Sequence, residues 1–157
     1  MSTREGASAL MSPYVYSHRW YIAGKMSGIP QFNIPMFDRV AAELREFGMQ
    51  IVSPAELDDT GYREACLASP DGKVFPAGPS WGDLLARDVK LIADNIDGII
   101  LLPGWKDSRG ARLEAFVGLL CNKDFGTYYT NASGRQVPPV TFYSSDWIRY
   151  QLSENMP

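Results

Sequence analysis

Short apolar runs alternate with amphipathic segments in the first third of this chain. The aromatic and β-branched run at 19–23 (RWYIA) predicts a first strand, which is followed by a Gly-rich loop. Asn33 is then the predicted N-cap of a helix whose apolar residues recur at helical spacing up to Phe47. A second strand is predicted at 49–54 (MQIVSP). This order of strand, helix and strand is typical of a parallel sheet.

The rest of the chain continues the alternation after a long polar segment. Residues 58–79 are rich in Gly, Pro, Asp and Ser and predict a loop or lid of roughly twenty residues. The elements predicted beyond it are a helix at 80–95, a near-continuous apolar strand at 96–104, a helix at 111–122, and β-rich runs at 125–130 and 139–144. We therefore expect an α/β fold, with a flexible N-terminal tail at 1–18 and a single Rossmann-like domain at 19–157. In that domain helices flank a parallel sheet.

Composition and charge exclude several classes of partner. The chain has 157 residues, of which 45% are hydrophobic, so it is long enough to form one domain with a hydrophobic core. Its net charge is −3. No Lys/Arg cluster suits a nucleic-acid backbone, and no apolar run approaches the ~20 residues that span a membrane. The N-terminal segment lacks the apolar core of a secretion signal, and Cys66 and Cys121 form no CxxC motif. We expect a cytoplasmic protein that binds neither nucleic acid nor membrane.

The histidine content limits the chemistry that the chain can perform. His18 is the only histidine in the sequence, so a histidine-dependent triad and a zinc site are not expected. We therefore predict no metal and no cofactor. Any catalysis must then rest on carboxylates, hydroxyl groups and backbone groups.

Asp88 is out of place in a purely structural helix. On a period of 3.6 residues its carboxylate falls at the centre of the apolar stripe of the helix at 80–95. The stripe consists of Leu84, Leu85, Leu91 and Ile92. A carboxylate in that position must be paired, hydrogen-bonded or directed into a cleft. Pairing with a neighbouring loop or with Arg87 is the structural alternative to a functional role.

Glu114 is the second unexpected carboxylate. Its neighbours on the same helix face are all small or apolar, namely Ala111, Val117, Gly118 and Cys121. The helix at 111–122 is apolar nearly all round and is expected to be largely buried, with open space beside Gly118. A buried carboxylate beside open space is a candidate catalytic group. An ion pair with Arg109 or Arg112 is the structural alternative.

Two loops that follow predicted strands complete the candidate site. The residues concerned are Gly24, Lys25, Ser27 and Gly28 after the first strand, and Asp107, Ser108 and Gly110 before the helix that carries Glu114. Backbone N–H groups and the dipole at such a helix N-terminus favour an anion such as phosphate. Because ligands bind outside the carboxyl ends of strands in open α/β sheets, we expect both loops and both carboxylates to border one crevice. Capping and turn positions are the structural alternatives for these loop residues.

Three segments, taken in their order and spacing, carry a family resemblance. They are YIAGKMSG, LLARDVKLIADNIDGIILLPGW and DSRGARLEAF, and the resemblance that they carry covers roughly Trp20 to Leu120. The combination resembles the nucleoside 2-deoxyribosyltransferase superfamily, and most closely its small, often phage-encoded branch. That superfamily also contains deoxynucleoside 5′-monophosphate N-glycosidases and cytidylate hydrolases.

The resemblance implies a role for each matching residue. Glu114 matches the glutamate that attacks the anomeric carbon of the sugar, and Asp88 matches the aspartate that handles the base or orients the nucleophile. Tyr21 and the loop 24–28 match the motif that contacts the sugar or its 5′ group, and the loop before the helix matches the one that holds a phosphate. Some family members take active-site residues from a neighbouring subunit, so a homodimer or higher homo-oligomer is expected.

These residues predict an N-glycosidase that hydrolyses the base–sugar bond of a nucleoside 5′-monophosphate. A carboxylate nucleophile forms a covalent glycosyl intermediate, and a second carboxyl group with a raised pKa protonates the departing base. A nucleoside 2-deoxyribosyltransferase, which uses the same intermediate with a base as acceptor, is the near alternative. A non-catalytic nucleotide-binding protein, such as a sensor or sponge, is the third hypothesis, since Lys25 and Arg109 suit a ligand with more phosphates.

Aromatic residues have two expected positions. Tyr62, Phe75 and Trp81, in or beside the segment 58–79, are candidates to stack on the base. The aromatic residues near the C-terminus exceed what one small sheet edge needs, so they either form a subunit interface or complete the core. These are Tyr128, Tyr129, Phe142, Tyr143 and Trp147.

Overall fold

One sheet of five strands organises the part of the chain that this computed structural model describes, residues 13–154 without 131–133 and 135. The strands are β1 (Arg19–Ala23), β2 (Gln50–Val52), β3 (Gly98–Leu101), β4 (Asp124–Tyr128) and β5 (Val140–Tyr143). Their order is β2-β1-β3-β4-β5, and β1 to β4 are parallel. Helices flank both faces of the sheet, so the predicted α/β class and the single Rossmann-like domain are confirmed.

The strand β5 is the exception, because it runs antiparallel to β4. The connection from Tyr128 to Val140 is too short for the crossover helix that a parallel neighbour requires. The chain therefore returns beside β4 in the opposite direction, and the predicted parallel sheet ends in one antiparallel edge.

Six α-helices lie within the described residues and cover the sheet. They are α1 (Tyr14–Ser17), α2 (Ile34–Glu46), α3 (Thr60–Leu67), α4 (Trp81–Asn95), α5 (Arg109–Leu120) and α6 (Ser145–Glu154). The helix α4 begins with a capping box, in which Ser80 Oγ accepts from the Asp83 N–H at 3.0 Å and Asp83 accepts from the Ser80 N–H at 3.1 Å. None of these six helices combines the length and the apolar composition that crossing a membrane requires.

Alternating side chains of the strands divide the core into two layers. Trp20 and Ile22 of β1 lie in the layer that α2 covers, while Tyr21 and Ala23 lie in the layer that α4 and α5 cover. All four side chains are fully buried. Tyr21 therefore points toward the two helices that carry the candidate carboxylates.

The packed part of the chain begins upstream of Arg19. Residues 1–12 of the predicted tail lie outside the described residues, but the residues of α1 are helical. Val15 is buried in the core, and its carbonyl accepts a hydrogen bond of 2.8 Å from Trp20 Nε1. Because of these contacts, α1 packs as part of the domain.

The segment 58–79, predicted as an irregular loop or lid, contains the helix α3. Asp59 caps this helix, since its side chain accepts a hydrogen bond of 2.9 Å from the Tyr62 N–H. Tyr62 and Cys66, one turn apart, are its buried residues and pack in the same layer as α2. Two buried positions are too few to produce a recognisable helical period in the sequence, so the prediction was wrong for this part of the segment.

The helix α5 lies closer to the sheet, and is more exposed on its far side, than the sequence predicted. A Cβ at Gly118 would lie 2.4 Å from Ile99 Cδ1, so this glycine permits close helix–sheet packing rather than leaving open space. Leu113, Phe116 and Leu120 are exposed on the opposite side. The expectation that the whole helix is largely buried was therefore wrong for one face.

Candidate active site

A cleft of about 520 Å³ opens at the carboxyl ends of β1 and β3. The strand β1 has β2 on one side and β3 on the other, so the chain connections diverge at this point of the sheet. Open α/β sheets bind ligands at such switch points, and this volume suits a small organic molecule. The predicted site residues that line the cleft are Gly24, Lys25, Ser27, Asp88, Asp107, Ser108, Gly110 and Glu114.

Tyr21 lies beneath the floor of the cleft rather than in its lining. Its side chain is fully buried, and its hydroxyl donates a hydrogen bond to Glu114 Oε2. Glu114 is 7% exposed and lines the cleft from α5. A ligand in the cleft would thus interact with Tyr21 through Glu114, which differs from the direct contact with the sugar or its 5′ group that the resemblance implied.

A chain of ion pairs holds Asp88 on the neighbouring wall. Arg87 Nε donates to Asp88 Oδ1 at 2.9 Å, and Arg87 Nη1 donates to Asp58 Oδ1 at 2.6 Å. One guanidinium therefore joins α4 to the segment after β2 and compensates two carboxylates that are largely removed from water. Arg87 is therefore the structural partner of Asp88, whereas the loop residue Asp58 pairs with Arg87, and the Asp88 carboxyl group still lines the cleft. The described residues contain no group of three or more His, Cys, Asp or Glu arranged to hold a metal ion.

Burial controls the protonation of the two cleft carboxyl groups. It raises the pKa of Glu114 to about 8, and the hydrogen bond from Tyr21 opposes that rise without cancelling it. Burial also raises the pKa of Asp88, but the Arg87 guanidinium beside it favours the carboxylate. Burial, together with the nearby Glu114, raises the pKa of Tyr21 well above its usual range. At neutral pH Glu114 therefore holds a proton in the unliganded site, while the Arg87 guanidinium favours the charged form of Asp88.

The loop after β1 is braced by its neighbours. A Cβ at Gly24 would lie 2.9 Å from Leu102 Cβ, so a glycine lets this loop pass close to the end of β3. Asn33 Nδ2 donates to the Lys25 carbonyl at 2.8 Å. The Asn33 side chain makes no hydrogen bond that caps α2, so the predicted N-cap instead ties down the loop that carries Lys25.

Gly28 belongs to the outer side of this loop and does not line the cleft. Its N–H donates to the Gly72 carbonyl at 2.8 Å, and its φ of 79° is a conformation that favours glycine. Residues 31–33 also have positive φ, from 52° to 60°, which is uncommon for non-glycine residues. Buried Phe32 at the centre of this turn lines the cleft, so the strained backbone serves to present a side chain to the site.

The N-terminus of α5 forms the opposite rim. Ser108, not Asp107, caps the helix, because its Oγ accepts from the Ala111 N–H at 3.1 Å and its own O–H remains able to donate. Arg109 begins α5 and lines the cleft together with Lys25. Neither cation has an ion-pair partner among the residues that the structure describes, so both are available to an anion.

Aromatic side chains form the apolar wall of the cleft. Tyr62, Phe75 and Trp81, the predicted stacking residues, all line it together with Phe32. The rings of Phe32 and Phe75 pack with centroids 5.0 Å apart. Phe75 and Trp81 are exposed, so each leaves ring surface on which a planar group can stack.

Asp58 and Arg87 belong to the site although the sequence did not predict them as functional residues. Asp58 lies shortly after β2, in the same way that Asp107 lies shortly after β3. An acidic residue shortly after a predicted strand was therefore the sequence signal that could have identified Asp58 as a site residue. Arg87 adjoins Asp88 on a helix, where sequence neighbours normally point apart. The pair of Asp58 and Arg87 joins positions 29 residues apart, which no local pattern predicts.

A match to a known protein family covers the site. The family described as Domain of unknown function (DUF4406) matches residues 18–124 of this chain. No curated protein sequence matches the chain. The matched span contains β1, α4, β3 and α5, and therefore both cleft carboxyl groups and both loops, whereas β5 and α6 lie beyond it.

Proposed function

This chain belongs to the family described as Domain of unknown function (DUF4406), and from its cleft we propose an N-glycosidase that hydrolyses the base–sugar bond of a nucleoside 5′-monophosphate. The observation that carries the proposal is the buried Glu114 carboxyl group, which lines an open cleft beside Asp88 and accepts a hydrogen bond from Tyr21. The resemblance of the matched segments to the nucleoside 2-deoxyribosyltransferase superfamily supports it.

Glu114 is the nucleophile in this proposal. Cleavage of an N-glycosidic bond passes through an oxocarbenium-like state, which an adjacent carboxylate stabilises. A Glu114 oxygen bonds to the anomeric carbon while the bond from that carbon to the base breaks, and the electron pair leaves with the base nitrogen. The positive charge that develops on the sugar favours ionised Glu114, so the resting proton of this residue must leave first.

Asp88 receives that proton and delivers it to the base. The Tyr21 hydroxyl donates to Glu114 in the resting site and also interacts with Asp88. Once its O–H turns toward Asp88, the hydroxyl oxygen accepts the proton of Glu114 and passes its own proton to Asp88. Protonated Asp88 then donates to the departing base nitrogen. In the second step Asp88 takes a proton from the attacking water, the bond between Glu114 and the anomeric carbon breaks, and the proton returns to Glu114.

The rims and walls of the cleft suit the other parts of a nucleotide. Lys25 and Arg109 contribute two positive charges that no carboxylate of the described residues pairs, while the Ser108 hydroxyl and the first N–H groups of α5 add donors for a 5′-phosphate. Phe75 and Trp81 supply aromatic surface for the base. These features support a charged, planar substrate rather than a small neutral one.

Removal of both rim cations should weaken recognition of the phosphate. We expect the double variant Lys25→Ala, Arg109→Ala to raise KM for a nucleoside monophosphate by ~10–100-fold, because each charge-assisted hydrogen bond stabilises the complex by about 1.5–3 kcal/mol and the effects overlap. KM for the corresponding nucleoside should stay nearly unchanged. Steady-state kinetics of both substrates at one ionic strength measure this. Lys106→Ala is the control, since Lys106 does not line the cleft. An equal rise in KM for the nucleotide and the nucleoside would contradict the assignment of Lys25 and Arg109 to the phosphate.

Release of free base from a panel of ribo- and deoxyribonucleoside monophosphates tests the proposed function. We expect the protein to release base from at least one member of the panel, and added methanol to trap a methyl glycoside of retained configuration. Release that requires a second base as acceptor would instead identify a nucleoside 2-deoxyribosyltransferase. Nucleotide binding without release under either condition would contradict catalysis and favour the non-catalytic sensor or sponge.

The expected homodimer or higher homo-oligomer stays a prediction. Among the C-terminal aromatic residues, Tyr128 is buried, and Phe142 packs on Trp20 with ring centroids 5.3 Å apart. Tyr143 stacks on Trp147 with centroids 3.9 Å apart. These contacts favour the second expected role of the aromatic residues, which is to complete the domain. Three exposed apolar side chains, Leu113, Phe116 and Leu120, share one face of α5, where light scattering of a Phe116→Glu variant would examine self-association.

A further inference from the structure

The ion pair of Asp58 and Arg87 takes no part in the steps proposed above, yet both side chains line the cleft. Their 2.6 Å hydrogen bond joins α4 to the segment after β2, and the Asp58 side chain is only 9% exposed. Burying such a pair is unfavourable unless its hydrogen bonds compensate the lost hydration. A buried pair at the edge of a candidate active site therefore calls for a reason beyond general stability.

We propose that Arg87, held by its hydrogen bond to Asp58, is a positioning residue that directs its guanidinium onto Asp88 and favours the charged form of that carboxyl group. Arg87 acts through Asp88 and contacts no reacting atom. Its importance for turnover rests on the proposed function, whereas the ionisation that it controls is a property of the unliganded protein.

The groups that face Asp88 explain why Arg87 decides which carboxyl group is charged. Tyr21 comes from β1, Glu114 from α5 and Asp58 from the segment after β2, so Arg87 is the cation in direct contact with this cluster. The guanidinium lies 2.9 Å from Asp88, while Glu114 has the neutral Tyr21 hydroxyl as its partner. Coulomb attraction at such a distance favours the charged form of Asp88. The other titratable side chains of the cleft are Lys25, Tyr62, Cys66, Asp107 and Arg109.

Asp58 is needed because Arg87 and Asp88 are adjacent on one helix, where neighbouring side chains diverge. The second hydrogen bond, from Nη1 to Asp58, fixes the direction of the guanidinium so that Nε remains on Asp88. A planar guanidinium can serve two carboxylates in this way, while a lysine supplies the charge without the fork. The brace and the cation therefore act as one unit.

Carboxyl 13C NMR titration of the unliganded protein tests the proposal without requiring turnover. In the wild type we expect Asp88 to titrate below Glu114, whose midpoint should lie near pH 8. In Arg87→Met the Asp88 midpoint should rise by about 1–3 units, because the adjacent opposite charge is gone. Asp58→Asn removes the brace, which raises the midpoint, and also a nearby negative charge, which lowers it, so its net shift should be smaller than that of Arg87→Met. Arg87→Lys should recover part of the shift, which a purely structural role of the side chain would not predict.

Arg45→Met is the matched control, since Arg45 pairs with Glu56 at 2.9 Å outside the cleft. An Asp88 midpoint in Arg87→Met within about 0.3 unit of the wild type would overturn the proposal. If Arg87→Met does not fold, Arg87→Gln decides it instead, because glutamine also removes the positive charge beside Asp88. Failure of the proposed function is recognised separately, as absence of base release by the wild type, because the titration needs no substrate.

Discussion

Replacing Glu114 with glutamine is expected to lower the rate of base release at least ~10³-fold, because an amide cannot attack the anomeric carbon as a carboxylate does. Glutamine keeps the size of the side chain and can still accept the hydrogen bond from Tyr21, so the loss should appear in kcat with substrate binding preserved. Single-turnover measurements with the best substrate of the nucleotide panel would give this rate directly.

A second glutamate provides the control for this substitution. Glu43 on α2 accepts a hydrogen bond of 2.7 Å from the Tyr128 hydroxyl, so it repeats the tyrosine–glutamate pairing away from the cleft. Glu43→Gln should retain wild-type base release. A Glu114→Gln protein that keeps more than a tenth of the wild-type rate would exclude Glu114 as the nucleophile, whatever the substrate.

The same substitution is expected to stabilise the folded protein, and to do so in a way that depends on pH. Glu114 has an ordinary pKa of 4.5, which burial raises to about 8 in the folded state. Below pH 4.5 the carboxyl group is protonated in both the folded and the unfolded state, so it does not make the free energy of unfolding depend on pH. Between pH 4.5 and 8 the unfolded chain gains by ionising while the folded site cannot, so the free energy of unfolding falls as pH rises. Above pH 8 the carboxyl group is ionised in both states, so the decrease in the free energy of unfolding stays constant.

Glutamine has no charge to bury, so the Glu114→Gln protein should escape this loss. We expect its Tm to match the wild type at pH 4 and to exceed it at pH 8.5 by about 6–12 °C, which corresponds to on the order of 3 kcal/mol. Thermal unfolding followed by circular dichroism across this pH range would measure the difference. A Tm gain that is independent of pH, or a lower Tm at pH 8.5, would show that burial of an ionisable group at 114 is not what limits stability. Residues that are retained despite such a cost are typical of functional sites.

The two largest effects therefore have one cause, which is that α5 holds a carboxyl group where water cannot solvate it. Gly118 brings this helix against Ile99 of β3, and the Tyr21 hydroxyl is the hydrogen-bonding partner that the structure supplies to Glu114. Such a group is costly as a carboxylate in the resting site, but it gains stability when positive charge develops beside it.

Much of the fold and part of the site could be predicted from the sequence, because they depend on local patterns. The βαβ order and the helix at 80–95, observed as Trp81–Asn95, follow from the spacing of apolar residues and a Ser80 cap. Asp88 and Glu114 stood out because each interrupts an apolar helix face. The two loops were predicted to share a crevice because parallel strands end at one edge of the sheet, and they do line one cleft.

Other features depended on contacts between distant segments, which only the tertiary structure decided. The sequence offered no sign that Asp58 would pair with Arg87, that Asn33 would tie down the Lys25 loop, or that Gly118 would fill a close contact rather than leave space. The sequence assigned a raised pKa to the carboxyl group that protonates the base, but the large rise falls on Glu114, because burial removes that carboxyl group further from water. Periodicity specifies which side chains turn inward, but the charge of a buried group depends on the hydration that it loses and on the partners that β1, α4 and α5 bring around it.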